Sequence, residues 1–466
     1  MTAKTPRIRR WPLGLPLVNA ARRDPLGLAA QLRAYHGDIA PLKILSTHLF
    51  YLFRPEAARQ VLVACKDDFV KDERVLRVFR SVHGKNVLTT EGDAWERQRR
   101  ILAPAFTQKR IAACAGLMAA ATDDGIRAEL PSAPGESAVV DVDALTTRIT
   151  MDVILRALFS WRTGRDEAAG VSRAIRGLTR QLMREFFWPL PPVSWLPFPG
   201  RADKQRNLAT VRGLIRARID ERRRAPAGGA VPAADILALL LAGGGDDSSA
   251  TSDSLSDDEL LDNCVGLFGA GHDTSATALT WWIGLMAAHP QVAARARAEV
   301  RNLAPPDGGS AQGEGDLPLL NATLKEAMRL YPPSTATFSR RALRDVRIGE
   351  QLIRKNALVV IPIWSLHHDP RWFPEPAVFR PERFLPGAPA LPRSAFMPFG
   401  IGPHFCLGQQ FAMVEMAVIA ARLLRHYDFA LEPGAALPEP VVDLVLKPSQ
   451  RLRVRFTRLG EQPPAT

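Results

Sequence analysis

From Ser256 to Pro290 the chain reads SDDELLDNCVGLFGAGHDTSATALTWWIGLMAAHP, and no other stretch constrains the fold as tightly. Ser256 and Glu259 make the S-x-x-E pair of a capping box, apolar residues recur at helical spacing, and Pro290 stops the run after His289. At about 1.5 Å per residue the predicted helix is on the order of 50 Å long, enough to cross a globular molecule. His272 and Asp273 in its middle argue against a membrane span, and no run approaches the roughly 18 uninterrupted apolar residues a span needs. A central, buried helix follows. Gly266, Gly269 and Gly271 each weaken it by about 1 kcal/mol relative to alanine, so the fold must have a use for them. Gly271 would let a flat ligand approach the backbone, and Thr274 is placed to direct its hydroxyl to a carbonyl one turn back.

The rest of the 466-residue chain is also dominated by helical patterning: LTTRITMDVILRALF, ADILALLLA, LLNATLKEAMRLY and the run after Cys406. Strand signals are fewer, at HLFYLF, VRIGEQLI, ALVVIPI and near the C-terminus. The expected fold is mainly α with a smaller β region. Connections rich in Gly, Ser and Pro fall at Ala225–Ala234, Ala242–Ser254 and Ala304–Asp316. Length alone favours about three domains, but the motifs described next run from Trp95 to Gly408 and converge on one site. The expectation is a single domain over 25–456, with an N-terminal extension over 1–24 and a tail over 457–466.

Cys65, Cys114, Cys264 and Cys406 form no C-x-x-C pair, and the N-terminus makes a poor signal peptide, so a reducing, cytoplasmic location is expected. The net charge of +13 raises the question of nucleic acid. Six arginines lie between Arg212 and Arg224, interrupted by Asp220 and Glu221, which reads as a solvated helix face; no nucleic-acid-binding signature accompanies them. Part of the excess charge is suited to guiding an acidic protein partner.

The loop FGIGPHFCLG, Phe399–Gly408, sets one cysteine before a helical run, so Cys406 should sit beside a helix N-terminus, a position that favours a thiolate. Its pattern, filled by Phe399, Gly402, His404, Cys406 and Gly408, resembles the haem-binding signature of the cytochrome P-450 family. Three further segments resemble the same family in the same order. GDAWERQRRILAPAF places Trp95 and Arg99 on one helix face, where relatives bind a haem propionate. EAMR and PERF supply Glu326, Arg329 and Arg383, similar to the family's Glu-Arg-Arg triad. AGHDTS resembles the segment carrying its acid and alcohol, here Asp273 and Thr274, with Ala270 against the haem. Arg340 occupies a second propionate position, and His404 is suited to the same task. The likeness covers about residues 25 to 455. One departure is IRKN, Ile353–Asn356, where relatives show Ile-Pro-x-Gly; Asn356 tolerates the left-handed conformation such a turn needs.

The resemblance implies a haem held between the central helix and the cysteine loop with its following helix, with haem b (iron protoporphyrin IX) ligated by Cys406. It implies a monooxygenase that inserts one atom of O2 into a substrate while Asp273 and Thr274 relay protons. Leu88, Ala270, Thr277, Ala336 and Phe338 fall where the family places substrate; being mostly small or apolar, they suit a hydrophobic molecule such as a fatty acid, terpenoid or polyketide. Electrons would come from NAD(P)H through a separate reductase and a ferredoxin or flavodoxin, as in the soluble bacterial type. The alternative is a peroxide-dependent peroxygenase or a non-redox isomerase on the same fold.

Overall fold

In a computed structural model of the chain the long helix runs over Asp257–Ala288, and Ser256 and Glu259 close the capping box from both sides. The structure describes residues 15–162, 164–188, 199–224, 235–242, 254–303 and 317–460. The connections read at 225–234 and 304–316, and all but the ends of that at 242–254, lie outside the described residues. The long helix is buried over residues 260–266 and again over residues 275–287, but its middle is not: Leu267, Gly269, Ala270, Gly271, Asp273 and Thr274 all keep accessible surface.

The helix Val142–Phe159 packs along the central one. Thr150 donates to the His272 carbonyl at 3.0 Å, and the Thr146 and Thr280 hydroxyls meet at 2.8 Å. Gly271 belongs to this contact. A Cβ there would lie 2.9 Å from Ile154 Cδ1, so this glycine lets two helices approach and does not face a ligand, contrary to the sequence reading. Gly266 and Gly269 do the same against Asn86 and His83. The glycine penalty is thus offset by close packing.

The arginine-rich helix Arg201–Arg224 also lies against the central helix. Its charges are largely spent inside the molecule: Arg212 on Asp262 at 2.7 Å, Arg216 on Asp258, Arg218 on Glu221, Arg222 on Asp235 and Arg223 on Asp257. The face expected to be solvated keeps Arg216, Arg223 and Arg224 exposed and also carries a ladder of ion pairs, three of them to the start of the central helix.

The β region is built on a five-stranded sheet in the order Ile39–Ile44, Thr47–Leu52, Leu358–Val360, Arg340–Ala342, Phe69–Lys71. Its last two strands are antiparallel and bring Lys71 opposite Arg340. A second sheet sets Arg453–Arg458 between Ser137–Asp141 and Tyr427–Leu431, and two hairpins occupy Val346–Ile353 and Pro440–Pro448. Asn356 has φ of 67°, the left-handed turn its identity predicts. Leu17, Ala20 and Ala21 of the helix Leu15–Arg23 pack beside Leu28 and Leu32, and Arg458 pairs with Tyr427. Both contacts carry the packed body past the boundaries of 25 and 456 read from the sequence.

Candidate active site at the cysteine loop

The loop before the helix Gln409–His426 is shaped by two glycines at positive φ, Gly400 and Gly402. Gly402 is needed twice over, because a Cβ there would also stand 2.1 Å from the Leu62 carbonyl oxygen. The Cys406 amide donates to the Phe399 carbonyl at 2.9 Å, closing the loop, while the Phe399 ring packs against the main core. Gly408 caps the helix, and its amide points at the Cys406 sulfur.

Cys406 carries accessible surface, yet it lies deep in the protein, which together place it on the wall of an internal recess. Burial pushes its thiol up, against the Gly408 amide and the Arg99 charge, which pull it down. The helix start therefore does not by itself make a thiolate, as its position had suggested; a metal ion's own charge does so outright on coordination.

The loop is held from behind. Glu326 and Arg329, on the helix Pro318–Leu330, pair through two 2.8 Å bonds with both side chains fully buried. Arg383 reaches Glu326 at 3.3 Å, and the Arg380 amide reaches it at 3.0 Å. Arg329 also donates to the carbonyls of His367, Pro376 and Val378. His367, which sequence reasoning did not single out, extends the chain: its Nε2 accepts the Met397 amide at 3.0 Å, two residues before Phe399. Burial holds this imidazole down to about 3, so it stays a neutral acceptor.

On the opposite rim, positive charge collects. Lys71, Arg99 and Arg340 all act on His404, and the one carboxylate among them is Glu91, 3.2 Å from Lys71 Nζ. Lys71 and Arg340 are both buried and directly opposed across two strands, an arrangement of like charges that is unfavourable unless an anion sits between them. Lys71, pushed down to about 8 by burial, was not foreseen; no motif marks it. Arg99 donates to the Phe405 carbonyl at 3.1 Å and lies over the Phe405 ring. The His404 ring meets Trp95 with centroids 4.0 Å apart. Burial and then Lys71, Arg340 and Arg99 push the His404 imidazole down to about 3, and its Nδ1 is buried without a partner.

The central helix closes the other side with its open middle. Thr274 donates to the Ala270 carbonyl at 2.8 Å, as its position predicts. Asp273 is engaged by Lys447 at 3.0 Å, from the hairpin Pro440–Pro448, and Asp143 stands 3.9 Å from the same ammonium. Sequence offers no sign of that pairing across 174 positions. Glu415, fully buried on the helix after Cys406 and beside Ser275, has its carboxyl pushed up to about 8 by burial. Of the expected substrate residues, Leu88, Ala270, Ala336 and Phe338 keep accessible surface. Thr277 does not: it is 1% exposed and sits in the packed helix below the open stretch.

Among the described residues, three fixed cations against one carboxylate leave two positive charges at the rim of a recess whose wall carries a cysteine thiol. That donor set fits a flat, metal-bearing cofactor with two acidic groups, held through sulfur. Haem meets the description, its propionates answering the two charges and the orphaned His404 Nδ1. The protein class so defined is a haem-thiolate protein. The sequence model of the cytochrome P-450 family matches residues 6–456, and the chain belongs to that family. Among its relatives, cyclooctat-9-en-7-ol 5-monooxygenase of Streptomyces melanosporofaciens is 32% identical over 451 residues, 93% of each chain. Cyclooctatin synthase of the same organism is 30% identical over 460 residues, 96% of each. The cytochrome P-450 714D1 of Oryza sativa subsp. japonica is 31% identical over 434 residues, 88% of this chain and 74% of that one. The chain is a cytochrome P-450 monooxygenase, and the cofactor of its family is cysteine-ligated haem. Among the described residues no helix is long and apolar enough to cross a membrane.

Proposed function

We propose that this monooxygenase inserts one oxygen atom from O2 into a hydrophobic small molecule of terpenoid kind, drawing electrons from NAD(P)H through a separate reductase and a ferredoxin or flavodoxin. The observation that carries the site assignment is the pair of uncompensated charges at the rim above Cys406. Cys406 would ligate the haem iron through its sulfur; Trp95, Arg99, Lys71, Arg340 and His404 would hold the propionates; Glu326, Arg329 and Arg383 fix the loop from behind. Bound haem supplies oxygen activation, favoured by electron donation from the thiolate. Terpenoid chemistry is favoured over fatty acid by the relatives, since two of them are named for cyclooctatin formation or for a cyclooctatenol substrate.

Asp273 and Thr274 handle the protons. Lys447 holds the Asp273 carboxylate at 3.0 Å, so Asp273 takes a proton from outside when that contact loosens and passes it inward. Thr274 keeps its hydroxyl on the helix at the Ala270 carbonyl, where it presents an oxygen toward the recess.

The decisive measurement is the spectrum of the reduced protein under carbon monoxide: the red-shifted Soret band of a haem-thiolate adduct is expected, and Cys406→Ser should abolish it. A band that survives the substitution would overturn the assignment. Thr274→Ala should lower the rate of product formation by about 10²-fold, the lower end for a positioned proton donor, with hydrogen peroxide released instead. Turnover that needs peroxide and no redox proteins would reject the proposal in favour of a peroxygenase.

A further inference from the structure

His83 is a polar group with no hydrogen-bonding duty shown for its ring, placed beside the open middle of the central helix. It ends the helix Glu73–His83, and its Nδ1 is buried without a hydrogen-bond partner although other atoms of the residue keep accessible surface. The ring stacks on Phe79 with centroids 6.1 Å apart, and Phe79 meets Phe338 at 4.7 Å. The Phe338 carbonyl in turn accepts from Arg340. A row of rings thus runs from the propionate cations to the open middle of the central helix. There His83 sits on Gly269, where a Cβ would lie 3.0 Å from its Cε1 and 3.3 Å from its Nδ1. Gly269 precedes Ala270 and is five residues before Thr274, about 7 Å along the helix axis. Burying an unpaired ring nitrogen is costly, and the surrounding rings offer it nothing.

The geometry points to His83 as a specificity-determining residue that hydrogen-bonds a hydroxyl or carbonyl oxygen on an otherwise apolar substrate. This rests on the function proposed above and narrows its substrate class to oxygenated hydrocarbons. Burial pushes the imidazole down to about 4, so at neutral pH it is uncharged, with one nitrogen donating and the other accepting. It therefore serves an alcohol or a ketone, and offers no ion pair to a carboxylate.

The test is a spectral titration of the ferric holoprotein with cyclododecane, cyclododecanol, cyclododecanone and dodecanoate, reading Kd from the shift that accompanies displacement of iron-bound water. The alcohol and ketone should bind at least about tenfold more tightly than the hydrocarbon, since a site built to bond an oxygen discriminates against analogues lacking it; dodecanoate should gain no such advantage. His83→Phe, which keeps the ring stack, should erase the difference, and His83→Gln should retain part of it. Equal affinities in the unaltered protein, an advantage that survives His83→Phe, or failure of both oxygenated compounds to bind would each overturn the inference. The carbon monoxide spectrum of every variant separates the two readings. A missing band indicts the haem assignment, whereas a normal band with no affinity difference indicts His83 alone.

Discussion

At Gly402 two requirements coincide, a φ of 76° and a Cβ position 2.1 Å from the Leu62 carbonyl oxygen. Gly402→Ala must therefore displace the loop that carries Cys406, and haem content per chain is expected to fall steeply. Gly408→Ala is the contrasting case, because its Cβ meets no protein atom within 4 Å; thermal unfolding of the haem-free chain should be unchanged. Glu415 makes a different forecast. Its carboxyl is raised from 4.5 to about 8 by burial, so the folded chain holds this proton more tightly than the unfolded one. Its contribution is then full below about 4.5, shrinks as pH rises, and is gone beyond about 8. Glu415→Gln should flatten that part of the Tm-against-pH curve; an unchanged curve would show that the proton is bound equally in both states.

Among the elements, the triad helix is the most tightly committed. Removing Arg329 takes both 2.8 Å bonds from a fully buried Glu326 and leaves it Arg383 at 3.3 Å and the Arg380 amide at 3.0 Å; breaking such a pair costs roughly 3–5 kcal/mol. Arg329→Ala is expected to lose about that much in urea unfolding. Arg329→Lys should recover little, because one ammonium cannot serve Glu326 in two bonds and three carbonyls besides. The arginine helix behaves oppositely. Its pairs to Asp257 and Asp258 are exposed, so salt screens them, and amide exchange in Arg201–Arg224 should quicken with ionic strength while the triad helix stays protected.

On the scale of the whole molecule, Lys71, Arg99, Arg340 and His404 come from four separate segments, and under the proposed function one dianionic cofactor would join them. Haem loading should raise Tm by mass action, and haem dimethyl ester, lacking the two charges, should raise it less. What was legible in the sequence follows the same division. Cys406, the triad and the central helix announce themselves because each needs fixed residues at fixed short spacing. Lys71, Lys447, Glu415 and His83 act through distant partners, and a lone ionisable residue looks the same in a sequence whether buried or bathed in water. Gly271 misled for a related reason: glycine records that something comes close, not whether it is a ligand or Ile154. One pairing reaches further still. The strand Arg453–Arg458 is the middle member of its sheet, and its neighbour Ser137–Asp141 precedes it by more than three hundred positions. During synthesis that neighbour emerges first and waits, edge uncovered, until the ribosome has added more than three hundred further residues. Closure of this seam is thus a late, long-range event of the slow kind, and the nascent chain depends in the meantime on its helices, which assemble from nearby residues, to keep it from foreign pairing.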